Sequence, residues 1–560
     1  MSEELLSIQT VIPQLSIPQI ACLSSHDDTE QSCCSNSDRV VAIDVVGDSS
    51  EVVGGVAMKQ AQSQTRASIP IIANPEAGGE GSFDAAVASG ATAVVFDSSH
   101  STYNYTDGLT TTAELDVIGN GVDGTTLAGG NLYLAGHTTS FSDITLNGQV
   151  FGGGTASSGI TVTQEINLSF SDMDFASGKR IYGGAEVSVK ATAVSGNITI
   201  CMDDVDGNGA RIFGAGKVAD KAVMSLSNID ITISCAEGGL FSNLFAGADV
   251  AAEFKGTILC DMVNTTINSG TFTYCGNGSQ LKSGSSVQKH STLTINGGTF
   301  NHYVYAGGFS AGGTVSVNGN TTLIINSGTF ATHVFGGCGA NNSNNGGKTL
   351  ISGTAGIVVN TSVNKVQFGG SVFAGSLGYG NIHGGTSLTF TGLGSNLVFA
   401  MDSYITGNSQ MFRGSAQFVG GNQTLEFDGF TGNFGASVNN GFSRLVAKGS
   451  NVSFTGNQVV VGDISQWEIE VGSAEAELVF ANGKNNFKGD TLTLTLADGA
   501  APPADGWNVI SGTTAALTGW KSFSSVSLCG KDATYANGEW STDSYRLFKY
   551  GNTLKLASRA

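Results

Sequence analysis

Apolar and polar residues alternate over short stretches along most of this chain, with glycine-containing turns between the stretches. The alternation is clear in AVVFD (93–97) and in the segment 113–136, AELDVIGNGVDGTTLAGGNLYLAG. A period of two over a few residues is typical of β-strands that bury one face. We therefore expect strands rather than helices from about residue 86 onward.

A unit of about 30 residues repeats within this region. Residues 293–308 read LTINGGTFNHYVYAGG, and residues 323–338 read LIINSGTFATHVFGGC. Each copy contains an apolar residue and an aromatic residue followed by Gly or Ala, and TYCGN at 273–277 is a weaker copy. The aromatic residues of this series are Phe151, Tyr182, Phe213, Phe245, Tyr274, Tyr305, Phe335 and Phe373.

Short strands, glycine turns and this period predict an all-β solenoid, a parallel β-helix in which each unit forms one coil. A propeller blade is longer, and a leucine-rich repeat would carry leucines at constant offsets. Stacked coils lie about 4.8 Å apart, so equivalent residues should form columns. We predict three columns: Ile267, Ile295 and Ile325; Phe272, Phe300 and Phe330; and, at a bend, Asn268, Asn296 and Asn326.

The pattern divides the chain into three parts. Residues 1–85 lack sustained periodicity and are interpreted as a partly flexible leader with one short strand at 40–46. Residues 86–490 form the predicted β-helix. Residues 491–560 hold three of the four tryptophans in alternating strands and are interpreted as a β-rich cap, because the last coil of a solenoid must be covered.

The succession NGGTF, VYAGG, TVSVNGNTTLIINSGTF and VFGGCG resembles the glycine-rich β-strand repeats of bacterial adhesin-like surface proteins and autotransporter passenger domains. These belong to the right-handed, pectin-lyase-like β-helix class, and LDVIGNGVDGTTL at 115–127 is similar to the opening coil of that class. The resemblance covers about residues 90–490 and implies a right-handed coil and an extracellular or cell-surface location. Because the class includes lyases, phage spikes and adhesins, it implies architecture more than activity.

Composition narrows the possible partners. The 45 acidic residues against 25 basic residues give a net charge of −20, which argues against binding to a nucleic-acid backbone. No apolar run approaches the roughly 18 residues of a membrane-spanning helix. The N-terminus is acidic and does not match a secretory signal peptide, so the expected surface location implies another export route or a signal outside this chain.

The cysteines show no C-x-x-C pair, which argues against a zinc cluster. Cys201, Cys235, Cys260 and Cys275 lie in or beside predicted strands, where we expect small buried thiols. Cys33 and Cys34 lie in the leader and are candidates for pairing between molecules.

The segment DVDGNG (204–209) matches the first half of an EF-hand loop, with Asp204, Asp206 and Asn208 at calcium-ligand positions. Ala215 stands where the loop's last ligand, a glutamate, is required. The segment therefore predicts either a calcium site completed by a neighbouring coil or an acidic, glycine-rich turn without a metal.

Arg180 and Arg211 each precede the aromatic residue of their unit by two positions, so they should stack on one face. The equivalent positions of other units hold Gln149, Asn243, Tyr303 and His333. The pectin-lyase resemblance implies a use for such arginines against a calcium-bound acidic sugar. For a lyase of this kind, the candidate catalytic residues in this chain are Arg180, Arg211 and Asp204, with Asp203 and Asp206 nearby. Alternatively, the arginines pair with these acids on a solvated face.

Three hypotheses for function follow. The first is a non-enzymatic, secreted or cell-surface protein, adhesin-like or structural, that binds glycan or protein partners along the rod through Tyr303, His333 and neighbouring Asn and Thr. It needs no cofactor, apart from the possible calcium. The second is a pectate-lyase-like enzyme, and the third is a self-assembling filament or coat subunit.

Overall fold

A computed structural model describes residues 69–163, 165–250, 255–341, 347–378, 380–408, 418–439, 441–456, 464–472, 478–481, 487–512 and 517–559. These residues form mainly β-strands, with one α-helix, Phe83–Ala88, and two short 3₁₀ helices, Gly394–Asn396 and Thr518–Lys521. Within those ranges, no helix has the length and apolar character needed to cross a membrane. The strand predicted at 40–46 lies outside the described residues.

Parallel strands stack into a β-solenoid, as the repeat predicts, and one row of strands, ladder A, follows it from end to end. Each strand of ladder A pairs in parallel with the next one listed. The strands are Ile71–Ile72, Ala93–Phe96, Leu115–Ile118, Thr139–Ser142, Ile166–Phe175, Ile198–Asp206, Val223–Cys235, Thr257–Ile267, Ser285–Ile295, Thr321–Ile325, Ala355–Thr361, Thr386–Gly392, Gln423–Asp428, Arg444–Lys448, Gln466–Val471, Thr491–Leu496 and Ser525–Leu528.

A second row, ladder B, precedes ladder A in each coil where it occurs. In three coils one long strand bends from ladder B into ladder A, namely Val223–Cys235, Thr257–Ile267 and Ser285–Ile295. The other strands of ladder B are Ile160–Thr163, Thr192–Ser195, Thr314–Val317, Lys348–Ile351, Gly380–Ile382 and Phe418–Val419.

A third row, ladder C, follows ladder A and contains the aromatic-glycine motif. Its strands are Leu109–Thr110, Thr126–Tyr133, Thr145–Phe151, Arg180–Tyr182, Ala210–Phe213, Leu240–Phe245, Thr271–Gly276, Val304–Tyr305, Val334–Phe335, Val372–Phe373, Tyr404–Thr406 and Ser437–Val438. Shorter strands lie at the corner between ladders A and C: Thr102–Asn104, Thr299–Phe300, Gly328–Phe330, Val366–Phe368 and Leu397–Phe399.

After ladder C the chain turns through the glycines into ladder D, a separate sheet of two-residue strands. These are Thr155–Ala156, Glu186–Val187, Lys217–Val218, Asp249–Val250, Gln280–Leu281, Phe309–Ser310 and Gly339–Ala340. One coil therefore runs from ladder B through A, C and D and back to B.

The C-terminal part carries a further sheet that begins parallel and ends antiparallel. The parallel strands are Thr431–Phe434, Asn451–Phe454, Leu478–Phe480 and Trp507–Gly512. The antiparallel strands are Thr553–Ser558, Tyr545–Tyr550, Glu539–Ser541 and Thr534–Ala536, and Lys531–Asp532 pairs antiparallel with Ser525–Leu528.

The predicted columns are visible in the strand register. Ile267, Ile295 and Ile325 are direct partners in ladder A and are all fully buried. The rings of Phe272, Phe300 and Phe330 stack with centroid distances of 5.5 and 5.0 Å. Because stacked coils present the same side-chain shapes at the same height, these columns form one continuous core.

The predicted asparagines form a hydrogen-bonded amide ladder. Asn296 Nδ2 donates to Asn268 Oδ1 at 2.9 Å, and Asn326 Nδ2 donates to Asn296 Oδ1 at 2.8 Å. The ladder continues one coil further, where Asn360 Nδ2 donates to Asn326 Oδ1 at 3.3 Å. These bonds cross from coil to coil, so they stabilise the stacking itself.

In two successive coils the residue after the aromatic, Gly183 or Gly214, has a steric reason to be glycine, although other coils hold alanine at this position. A Cβ on Gly183 would lie 2.2 Å from the carbonyl oxygen of Gly214 in the next coil and 2.7 Å from Cγ2 of Ile198. Gly214 has the same relationship to the following coil, where its Cβ would lie 2.2 Å from the carbonyl oxygen of Ala246. At these two glycines, the turn from ladder C into ladder D lies so close to the backbone of the next coil that no side chain fits between them.

The cysteines lie largely as predicted. Cys235, Cys260 and Cys275 are thiols within strands, and Cys260 and Cys275 are buried. Burial raises the pKa of the Cys235 and Cys260 thiols to about 12, so they are unreactive at neutral pH. Cys201 is disulfide-bonded, so the prediction of a thiol is wrong there. Cys33 and Cys34 lie outside the described residues.

Candidate functional site

The outward-facing aromatic residues of ladder C form a second stack that is separate from the main core. Tyr133, Phe151, Tyr182 and Phe213 follow one another with centroid distances of 5.1, 4.6 and 5.2 Å. The rings are buried although they point away from the core, because ladder D folds back beside them: the hydroxyls of Tyr133 and Tyr182 both reach ladder D residues. A second segment of the stack contains Tyr305, Phe335 and Phe373.

The two segments of the stack are separated at Gly276. The register pairs Gly276 with Phe245 on one side and with Tyr305 on the other. The assignment of Tyr274 to the aromatic series is therefore wrong by two residues, and Tyr274 pairs with Asn243 instead. A Cβ on Gly276 would lie 2.8 Å from the Phe245 ring, so that ring occupies the space.

The arginine pair lies at the rim of the first segment. Arg180 and Arg211 are direct partners in ladder C, as expected from their spacing. Arg180 Nη1 donates to Asp249 Oδ2 at 3.3 Å and to the Tyr182 hydroxyl at 3.1 Å. Burial and the Asp249 carboxylate raise the pKa of the Tyr182 phenol, which keeps it neutral.

The ion pair of this site uses a different acid from those that the lyase hypothesis names. In the described part of the chain, Arg180 pairs with Asp249, and no ion pair joins either arginine to Asp203, Asp204 or Asp206. The alternative pairing, of the arginines with these three acids on a solvated face, is wrong for the same reason.

The DVDGNG segment forms an acidic turn whose Asp206 carboxylate joins two coils. Asp206 Oδ1 accepts hydrogen bonds from the backbone N–H of Asn208 at 2.9 Å and of Leu240, in the next coil, at 3.0 Å. Asn208 and Asp204 have left-handed backbone conformations, with φ of 44° and 52°. Among the described residues, no group of three or more His, Cys, Asp and Glu side chains is arranged to hold a metal. A calcium site here stays a prediction.

Asp204 belongs to a column of carboxylates at the bend that follows ladder A. Asp143, Asp172 and Asp204 occupy equivalent positions in three successive coils, each with a positive φ. Burial, followed by the nearby charges of Asp143, Asp204 and Asp203, raises the pKa of Asp172. Like charges stacked at the coil spacing repel one another, which gives this edge a strongly negative potential.

A row of half-buried aromatic and imidazole rings lies along the C-terminal half of ladder C, and we call it the aromatic stripe: Tyr274, His302, Tyr303, His333 and Tyr404. The His302 ring lies 4.2 Å from each of the Tyr274 and Tyr303 rings. Tyr303 stacks on His333 at 5.7 Å, and Tyr404 contacts Phe373 edge-on. The stripe thus places rings on three successive coils and, after one coil that holds Ser371 at this position, again at Tyr404.

The imidazoles of the stripe are held neutral. Burial lowers the pKa of His302 and of His333, and His302 also opposes a charge on His333. His333 Nδ1 accepts a hydrogen bond from the backbone N–H of Ser371 at 3.0 Å, which orients the ring. The stripe is therefore a weakly polar, uncharged surface at neutral pH.

Sequence reasoning identified Tyr303 and His333 but missed Tyr274, His302 and Tyr404. Tyr274 and Tyr404 could have been found from their position in the repeat. Like Tyr303, each directly precedes an inward-facing residue of ladder C: Cys275 follows Tyr274, and Ile405 follows Tyr404. His302 lies one residue further back, in a turn, where no repeat position predicts it.

Comparison of the chain with protein-family models, with curated proteins and with solved structures finds no match.

Proposed function

We propose that this chain is a non-enzymatic, secreted or cell-surface protein built as a right-handed β-helix, and that it binds carbohydrate along the aromatic stripe. The observation that carries the proposal is the row of uncharged rings, Tyr274, His302, Tyr303 and His333, half-buried on successive coils. The handedness and the surface location rest on the resemblance to adhesin-like repeats.

The stripe has the physical properties that a sugar-binding surface needs. Aromatic side chains offer apolar faces together with polar hydroxyl or N–H groups, and pyranose rings present C–H faces and hydroxyls. The rings lie in, or within two residues before, the paired strands of ladder C and contact one another, so little side-chain freedom is lost on binding. Successive coils lie about 4.8 Å apart, so the rings follow one another at short, regular intervals along the axis. A linear glycan lying along the axis would meet equivalent rings at successive coils.

The test is binding of purified protein to a panel of neutral and acidic polysaccharides, followed by calorimetry with oligosaccharides of any that bind. Tyr303→Ala should weaken binding about tenfold or more, since it removes about 1.4 kcal/mol or more of contact energy. Tyr550→Ala is the matched control, because Tyr550 is 71% exposed but lies in the C-terminal sheet. Failure to bind any glycan, or equal losses in both variants, would refute the proposal. Binding only to a surface protein would also count against it.

The lyase alternative has one favourable feature, the adjacent cations Arg180 and Arg211 on ladder C. The ion pair with Asp249 already engages Arg180, which leaves the exposed Arg211 as the residue open to a substrate. Incubation with acidic polysaccharides and calcium should yield unsaturated products that absorb ultraviolet light, and Arg211→Ala should abolish them. No absorbance change in the wild type would end this alternative.

Self-association is favoured by one strand of ladder B. Ile160–Thr163 pairs with Thr192–Ser195 and, among the described strands, with no other, and its Ile160 and Val162 are 73% and 70% exposed. Apolar edge strands tend to pair with another copy of the chain. Light scattering should then show assemblies that Val162→Lys disperses and that Val363→Lys, at an exposed turn, does not. A monomer at every concentration would contradict this alternative.

A further inference from the structure

Two successive coils of the solenoid carry polar side chains at interior positions that are mostly apolar in the adjacent coils. Thr265 lies in the column between Ile231 and Leu293, and Ser286 lies between Ile258 and Val315. Gln288 occupies a position that Cys260 and Val317 fill in the adjacent coils. We call the set the polar layer: Thr265, Asn277, Ser279, Ser286, Gln288 and Ser291, each 2% exposed or less.

Asn277 is the largest departure from the repeat. The pairing of Gly276 with Phe245 and Tyr305 places Asn277 in register with Ala246 and Ala306, so an amide replaces a methyl group inside the turn. Its Nδ2 donates to the Val263 carbonyl at 2.9 Å and to Ser291 Oγ at 3.0 Å. The change is concerted, because Ser291, its partner, replaces the Val263 of the preceding coil.

The two amides of the polar layer are adjacent. Gln288 Nε2 donates to the backbone carbonyl of Asn277 at 3.3 Å, and Ser291 Oγ donates to the same carbonyl at 2.8 Å. Each amide nitrogen therefore has a carbonyl acceptor. Turning either amide over would place its oxygen against that carbonyl, so the orientation of both groups is determined by their surroundings.

Three oxygens of the layer remain without a hydrogen-bond partner: Asn277 Oδ1, Gln288 Oε1 and Thr265 Oγ1. Leaving a buried polar group unpaired destabilises the folded state by an amount that is large against the stability of a domain. Ser286 also stands where the two adjacent coils have Ile258 and Val315, so the interior holds less side-chain volume at this position. The layer thus combines unpaired acceptors with smaller side chains.

We propose that the polar layer encloses ordered water, with one molecule donating its two hydrogens to Asn277 Oδ1 and Gln288 Oε1. A water molecule has the two donors that two amide oxygens require, and buried waters typically make about three hydrogen bonds to otherwise unpaired groups. The layer contains no carboxylate that would offset a buried cation. Thr265 lies two residues beyond Val263, whose carbonyl accepts from Asn277, and its hydroxyl can donate to a water as well as accept.

A crystal structure of the intact chain tests the proposal directly. We expect a solvent peak about 2.7–3.2 Å from both Asn277 Oδ1 and Gln288 Oε1. Two results would overturn it: a dry layer in which both oxygens bond to protein atoms, or a peak that gains an anomalous signal on soaking with rubidium, which identifies a monovalent cation.

Thermal melts of variants provide a second measurement that needs no crystal. Gln288→Val and Asn277→Ala each install the residue of a neighbouring coil, and each should lower the midpoint by leaving the water one partner short. The double variant should lower it by less than the sum of the two, because both residues hold the same water. Strictly additive shifts would contradict a shared ligand. Asn301→Ala, at an exposed position between ladders A and C, is the control for the substitution itself.

Discussion

Arg180 reaches along the solenoid to Asp249, and its guanidinium lies 3.3 Å from a carboxylate two coils further on. The same carboxylate lies 3.4 Å from the hydroxyl of Tyr182. One acid of ladder D thereby links the rim of the aromatic stack to a distant coil. The position of Arg180 is explained by this structural contact without any substrate.

Removal of that contact should have a small, measurable effect on stability. Arg180→Ala is expected to lower the free energy of unfolding by about 1 kcal/mol, because the pair is partly exposed and screened by solvent. Arg211→Ala, at the adjacent exposed position, should change it by less than about 0.5 kcal/mol. Chemical denaturation of both variants checks this, and equal losses would show that the Asp249 contact contributes nothing.

The carboxylate column should make stability depend on pH. The pKa of Asp172 is raised in the folded protein, mainly by burial and then by Asp143 and Asp204. The folded state therefore holds the proton more tightly than the unfolded state, and stability falls as pH rises from about 3.9 through the raised folded pKa. Above that range the destabilisation is fully present.

Asp172→Asn should consequently raise the melting midpoint at neutral pH, and the gain should vanish in acid, where both side chains are uncharged. Asn also tolerates the positive φ of 49° at this position. Asp532→Asn, at an exposed residue of the C-terminal hairpin, serves as the control. If Asp172→Asn and the wild type melt at the same temperature at neutral pH as well as in acid, repulsion in the column is ruled out.

The amide ladder should contribute to coil stacking. Asn296→Ala removes one donated and one accepted hydrogen bond, and the expected loss is about 1 kcal/mol because the amides are exposed to competing water. Asn301→Ala, whose side chain makes no hydrogen bond among the described residues, should have little effect. Denaturation midpoints of the two variants check this. A lower midpoint for Asn296→Ala alone means that the amide ladder stabilises the protein, and equal midpoints mean that it does not.

At Gly183 the turn should be intolerant of a methyl group, because the next coil lies closer there than a Cβ allows. Gly183→Ala forces a Cβ to within 2.2 Å of a backbone oxygen, so we expect a loss of about 3 kcal/mol, in the range of severe overpacking. Gly435→Ala is the matched control, since a Cβ there meets nothing within 4 Å. Similar melting curves for the two variants would mean that the coils can separate locally without cost.

The repeat allowed the stacked columns to be predicted because a residue in a column contacts its equivalent one unit away. Ile295 and Asn296 could be assigned partners from the period alone. Tyr274 could not, because a tyrosine fits either of two rows of ladder C and only the backbone register decides between them. Asp249 could not be predicted as the partner of Arg180, since a long side chain can cross a turn to any of several coils.

The amino-acid sequence by itself determined that the chain forms short strands, that they repeat, and which side chains stack, because alternation and spacing act between near neighbours. Only the tertiary structure decided that ladder D folds over the outward aromatic residues, that Arg180 meets Asp249, and that Asn277 and Gln288 share one interior. Those relationships depend on the angle at each glycine turn and on the height of each coil, and these are set by packing across the whole coil rather than by any local pattern.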